Sequence, residues 1–208
     1  MTEAEVLDLL QKVGAFRAGH FVLISGRHAD SYINKDALYP YTEDTSKLCR
    51  AVAERFMDKN VEAVIGPAVG AAILSMWTAY HLSEMTNKEV YGTYADKDGQ
   101  GGFVIKRGFD GIIRGKRTLV VEDLTTTGGS VKKVVEAARG VGAEVVGVAV
   151  LGNRGDVTSE MVGNPPEFVS MVHIHLDSWD ANDCDLCKKG IPVNTDIGHG
   201  KHFMAKNA

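Results

Sequence analysis

Two stretches, RTLVVED (117–123) and AEVVGVAVLGN (143–153), are apolar and rich in valine almost without interruption. A strand with one wet face alternates apolar and polar residues, whereas a continuous run suits a strand buried on both faces. Between them, Ser130 to about Arg139 has helical spacing, so strand, helix and strand follow in order. That order selects a mostly parallel sheet with helices on both sides, whose ligands bind in the crevice at the carboxyl ends of the strands.

The rest of the middle of the chain agrees. Residues 43–58 place Cys49, Val52, Ala53 and Phe56 at helical spacing, and VEAVIGPAVGAAILSMWTAYHL (61–82) reads as a short strand, a Gly-Pro turn and an apolar helix. EVYGTYA (89–95) and EFVSMVHIHL (167–176) are further strand candidates. At the start, Thr2 and Glu5 form a capping box ahead of Val6, Leu9, Leu10 and Val13, which predicts a helix over 2–15. HFVLIS and DSYINK then read as short strands around a turn at Gly26–Ala29. The expectation is one domain of 208 residues, with a core of about 42–165 and a small hood built from about 1–40 and 166–208.

Composition removes several classes of function. A net charge of -4 gives no basic footprint for nucleic acid. No apolar stretch approaches the roughly 20 residues that cross a bilayer, and MTEAEVLDLLQKV lacks the order of a signal peptide, so a cytoplasmic location is expected. Three cysteines, Cys49, Cys184 and Cys187, are too few for a disulfide framework.

The chemistry concentrates in VVEDLTTTGGSV (120–131), where a buried strand meets two acids and then a Thr/Gly turn into a helix. Thr125, Thr126, Thr127, Gly128, Gly129 and Ser130 can aim hydroxyls and backbone N–H groups at one anion, with the positive end of the helix dipole behind them. Glu122 and Asp123 would repel a phosphate but accept hydrogen bonds from sugar hydroxyls, so the pair of tools points to a phosphorylated sugar. Neither a P-loop lysine nor a G-x-G-x-x-G dinucleotide turn is present.

VVEDLTTTGGSV resembles the signature of the type I phosphoribosyltransferases for 5-phosphoribosyl 1-diphosphate (PRPP). FVLISGRHADSYINKD, VIGPAVGAA, VAVLGNRGD and CDLCKKGIP narrow the resemblance to the orotate phosphoribosyltransferases, in that family's order from Phe21 to Pro192. The resemblance implies transfer of phosphoribose from PRPP to orotate with Mg²⁺, by a homodimer. Glu122 and Asp123 would hold the ribose and Thr125–Ser130 the 5′-phosphate. Gly66, Pro67 and Ala68, within the loop 66–70, would hold the pyrophosphate through backbone donors. Ser25, Gly26, Arg27, Thr126 and Arg154 would contact orotate, and Mg²⁺ would arrive mainly with PRPP. A transferase for another nucleobase and a PRPP-binding regulator without turnover are the alternatives.

Three departures from the family bear on the catalytic cations. Where relatives have a loop rich in lysine, arginine and histidine, YADKDGQGGFVIKRG offers Lys97 alone before Lys106, and the usual lysines before Ser25-Gly26 and in the pyrophosphate loop are replaced by Ile24 and Val69. Lys97 is therefore the expected catalytic cation. In the tail, Cys184 and Cys187 precede His199 and His202 at a spacing close to that of a Cys₂His₂ zinc site, though with a tighter histidine pair. His173 and His175 alternate along a strand and read as structural.

Overall fold

The structure, a computed structural model, describes residues 1–23, 25–174 and 176–206. In chain order its elements are α1 (Glu3–Lys12), β1 (Phe16–Val22), β2 (His28–Ile33), α2 (Thr42–Phe56), β3 (Ala63–Pro67), α3 (Gly70–Thr86), β4 (Tyr91–Lys97) and β5 (Phe103–Val104). There follow α4 (Phe109–Ile113), β6 (Arg117–Thr125), α5 (Gly129–Gly140), β7 (Glu144–Asn153), β8 (Phe168–His173), β9 (Ser178–Trp179), α6 (Asp185–Lys188) and α7 (Gly200–Lys206). The chain divides into two compact units. The first is Met1–Leu7 with Tyr39–Ile174, and the second is Asp8–Leu38 with His175–Ala208.

The first unit is the doubly wound sheet that the valine runs require. Its strand order is β5-β4-β3-β6-β7-β8, parallel from β4 to β8, with β5 antiparallel at the edge. From β3 the chain steps outward to β4 and β5, then returns to the other side of β3 as β6 and continues outward to β7 and β8. The direction of winding therefore reverses between β3 and β6, the position where a crevice opens at the strands' carboxyl ends.

Packing explains the alternation along each strand. Ile65, Val120, Val148 and Val150 face Val131, Val134, Val135 and Ala138 of α5, all fully or almost fully buried, each valine contributing on the order of 1.5–3 kcal/mol by leaving water. The opposite face receives α2 and α3: a Cβ on Gly147 would overlap the Phe56 ring of α2, and one on Gly92 would overlap Met76 of α3. Thr2 and Glu5 close the expected capping box, with N–H to side-chain oxygen distances of 2.7 and 3.3 Å. His173 Nδ1–H donates to Glu3 Oε1 at 2.8 Å, in keeping with a structural part, while His175 lies outside the described residues.

The second unit contains the three-stranded sheet β1-β2-β9 and the short helices of the tail. β1 is longer than HFVLIS suggested and begins at Phe16, because the β1–β2 pairing runs back to Phe16 opposite Ile33. No described helix is long and apolar enough to cross a membrane.

Candidate active site

At the end of β6 the alternation of a regular strand separates the two acids. Val120 and Glu122 belong to the α5 face, whereas Val121 and Asp123 belong to the face of α3. Asp123 is 2% and Glu122 6% exposed. The Tyr39 hydroxyl donates to Asp123 Oδ2, and the Leu124 N–H donates to Oδ1 at 2.6 Å. The Asp123 N–H in turn donates to Glu122 Oε1 at 3.1 Å. The paired carboxylates thus flank the strand end from both sides of the sheet.

The chain next turns sharply. The Thr125 hydroxyl accepts the Gly128 N–H at 3.1 Å, closing residues 125–128 into a loop. Gly128 holds φ +75°, and a Cβ there would stand 2.8 Å from the Met161 carbonyl oxygen, so both conformation and space demand glycine. α5 starts immediately afterwards with no side-chain cap on its N-terminus. Thr126, Thr127 and Ser130 are exposed around it. Uncapped amides, exposed hydroxyls and the helix dipole together suit an anion at this turn.

The loop after β3 approaches from the neighbouring strand. Gly70 lies where a Cβ would meet the Tyr39 hydroxyl at 2.1 Å and Asp123 Oδ2 at 2.8 Å, which brings this loop against the β6 acid. The Ala68–Val69 peptide is cis. The expectation that the whole run 66–70 offers donors is narrowed: Pro67 has no N–H, and that of Ala68 donates to the Ala95 carbonyl at 2.9 Å. The amides of Val69 and Gly70 remain, at the N-terminus of α3, which also lacks a side-chain cap.

β7 delivers Arg154. Its N–H donates to the Thr125 carbonyl at 2.8 Å, and Gly155 passes so close to Thr126 that a Cβ would lie 1.8 Å from the Thr126 carbonyl oxygen. The buried Asn153 shapes this turn, donating to the Val157 carbonyl at 2.9 Å and accepting the Val157 N–H at 3.0 Å. Arg154 is therefore brought beside the Thr125–Ser130 turn.

β4 and β5 form a hairpin whose tip, 98–102, is organised by Asp98. Its Oδ1 accepts the N–H groups of Gln100 at 2.7 Å and Gly102 at 2.9 Å, and these donors hold the carboxyl below its usual range. A cleft of about 360 Å³ runs between this tip and α5, lined by Lys97, Gly99, Gly101, Gly102, Phe103, Ser130 and Lys133. Lys133 donates from Nζ to the Gly101 carbonyl. A larger cleft of about 440 Å³, lined by Asn60, Glu62, Lys88 and Arg117 among others, lies at the opposite, amino ends of the strands and has no phosphate nest.

Tyr39, Asn153 and Lys133 were not foreseen. Only Lys133 had a local signal, standing three residues after Ser130 and so one helical turn further along.

In the second unit, Ser25, Gly26 and Arg27 make the β1–β2 turn, with the Gly26 N–H on the Leu23 carbonyl at 2.9 Å; Ile24 lies outside the described residues. Arg27 was expected at the base. Its guanidinium instead bonds the Ser178 hydroxyl at 3.0 Å, Asp180 at 3.0 Å and the Ser178 carbonyl, because β9 pairs with β2 directly beside it. The expected metal ligands are also corrected. Cys184 and Cys187 gather with His20 and His28, not with His199 and His202, since the β1–β2 hairpin folds onto the tail from the far end of the chain.

A doubly wound sheet with an acidic pair and an uncapped phosphate nest at its winding reversal defines a transferase of phosphorylated sugars. Residues 42–175 match the model of the phosphoribosyl transferase domain. The chain is 36% identical to the orotate phosphoribosyltransferase of Caldanaerobacter subterraneus subsp. tengcongensis and 38% to that of Pelotomaculum thermopropionicum, each over 93% of this chain and 96% of the relative. It shares the fold of the Mycobacterium tuberculosis H37Rv orotate phosphoribosyltransferase, with a TM-score of 0.66 at 24% identity, covering 83% of this chain and 96% of the other. The chain belongs to the orotate phosphoribosyltransferase family.

Proposed function

We infer that this chain transfers the 5-phosphoribosyl group of PRPP to orotate, forming orotidine 5′-monophosphate and pyrophosphate in pyrimidine biosynthesis. The observation that carries the inference is the β6–α5 junction, where buried Glu122 and Asp123 stand next to the uncapped N-terminus of α5 and the exposed Thr126, Thr127 and Ser130. The nest holds the 5′-phosphate and the acids hold the ribose hydroxyls. The bond from C1′ to the pyrophosphate oxygen breaks and a bond from C1′ to an orotate ring nitrogen forms. Positive charge develops on the ribose between these events, and the fixed carboxylates stabilise it without reorganising. Val69 and Gly70 receive the departing pyrophosphate, and Lys97 neutralises it from the hairpin. Arg154 binds the orotate carboxylate with its planar fork, and Thr126 completes base recognition from the same turn.

The donor set suits Mg²⁺, a hard cation that takes oxygen ligands and keeps much of its shell from substrate and water. Glu122 and Asp123 are the carboxylates that would hold it, and when bound it neutralises charge on the pyrophosphate. The family reading also makes the protein a cytoplasmic homodimer. Met76 and Tyr80 support the dimer: they stand one turn apart on α3 and are 55% and 52% exposed.

The test is incubation with PRPP, Mg²⁺ and a panel of bases. Consumption of orotate alone is expected. Turnover of a different base would reassign the specificity of Arg154, and PRPP binding without turnover of any base would make the protein a regulator.

A further inference from the structure

The second unit carries a cluster that the transferase reaction does not use. His20 on β1, His28 on β2, and Cys184 and Cys187 around α6 bring one ligand atom each to within 4.8 Å of one another. His20, His28 and Cys184 are buried and Cys187 is at the surface. His20 Nε2 lies 3.6 Å from Cys184 Sγ and 3.8 Å from Cys187 Sγ, and His28 Nδ1 lies 3.4 Å from Cys187 Sγ. Zinc held at about 2.3 Å from sulfur and about 2.05 Å from nitrogen has tetrahedral edges of about 3.6 Å between S and N. The three sulfur–nitrogen distances bracket that edge. The two ring nitrogens are 2.8 Å apart, and metal entry would open this pair by roughly half an ångström.

The tautomer of His20 is also set for a metal. Its Nδ1 lies 2.7 Å from the Ile191 carbonyl, which can only accept, so Nδ1 carries the hydrogen and Nε2 presents a lone pair to the cluster. A backbone carbonyl on the far nitrogen of a histidine is the usual support of a metal ligand. The backbone holds the surrounding chain in place: the Ile191 N–H bonds the Leu186 carbonyl at 2.9 Å, and the Asn194 N–H bonds the His20 carbonyl at 2.7 Å.

We propose that His20, His28, Cys184 and Cys187 bind one structural zinc ion that fastens the β1–β2 hairpin to the C-terminal segment. Two thiolates and two imidazoles suit zinc, and four protein ligands leave no position for a substrate. The ion closes a loop of more than a hundred and fifty residues, and long loops are where a cross-link removes the most unfolded-state freedom. This role does not depend on which base the enzyme uses.

Full-length protein purified without chelator should contain about one zinc per chain by elemental analysis. Cys184→Ser, Cys187→Ser and the pair His20→Ala/His28→Ala should each lose it, and His199→Ala/His202→Ala should keep it. Should the ligand variants fail to fold, chelator-treated wild-type protein titrated with Co²⁺ should show the intense visible bands of tetrahedral thiolate-bound cobalt, bleached by Zn²⁺. The proposal is overturned by wild-type protein that has neither zinc nor cobalt uptake. It is equally overturned by zinc that leaves with His199 and His202 but survives loss of His20 and His28, or by a Cys184–Cys187 disulfide found as a two-hydrogen mass deficit.

Discussion

A carboxylate that is 2% exposed costs several kcal/mol to keep charged unless donors surround it, and Asp123 has the Tyr39 hydroxyl and the Leu124 amide among its donors. Replacing it with asparagine keeps the shape but removes the charge that meets the ribose. Hydrogen bonds to charged groups are worth about 1.5–3 kcal/mol, so Asp123→Asn should lower kcat/KM for PRPP about 10- to 100-fold with the circular dichroism spectrum unchanged; wild-type kinetics would disprove the ribose role. Arg154→Ala should raise the KM for orotate by a similar factor and that for PRPP far less, as steady-state kinetics with each substrate varied would reveal. Equal effects on both would remove Arg154 from the base. These two residues were legible because each ends a valine-rich strand. Tyr39 was not, since nothing local in sequence links it to Asp123, 84 residues away.

Among the elements, the β4–β5 hairpin is where motion and chemistry meet. Lys97→Ala should lower kcat while leaving both KM values nearly unchanged if its ammonium acts on the departing pyrophosphate; a silent substitution would shift that task to Lys133, which lines the same cleft. The tip also has a predictable pH response. The Asp98 carboxyl is held below its ordinary value by the Gln100 and Gly102 amides. The order it provides is complete above the ordinary carboxylate range and is lost as pH falls through the lowered value. The protection of the Gln100 and Gly102 amides, measured as exchange relative to an unstructured peptide at the same pH, should fall over that acid window and stay level from neutral to mildly alkaline pH. The hairpin was readable only in part: Gly99, Gly101 and Gly102 announced a turn, but β5 has just two residues, too few for any periodicity.

At the scale of the whole molecule, the sheet was legible because burial on both faces writes itself as uninterrupted valine. The strand pairing and the side-chain cluster of the second unit were not, because β2 pairs with β9 across the length of the chain and His20, His28, Cys184 and Cys187 come from both ends. Burial also predicts a chemical asymmetry among the thiols. Cys49, inside α2 and 0% exposed, has its pKa pushed up to about 12 by desolvation. It should resist alkylation at neutral pH until the first unit unfolds, whereas Cys187 should react in metal-free protein. Sign and window follow from linkage: the unfolded thiol ionises near 9.0 and the native one near 12, so this contribution to stability is intact below 9.0 and declines as pH rises towards 12.

The second unit is made of Asp8–Leu38 and His175–Ala208. During synthesis, therefore, β1 and β2 leave the ribosome long before β9 and the cysteine pair exist. The amino-terminal hairpin must wait, with half its partners untranslated, while the sheet of the first unit forms from contiguous chain. A chain truncated after Ile174 and released from the ribosome should protect the sheet from protease and leave the first hairpin cleavable, and a chain that includes β9 and the cysteine pair should end that vulnerability. For this molecule the order of translation is also an order of assembly, in which the carboxyl terminus completes what the amino terminus began.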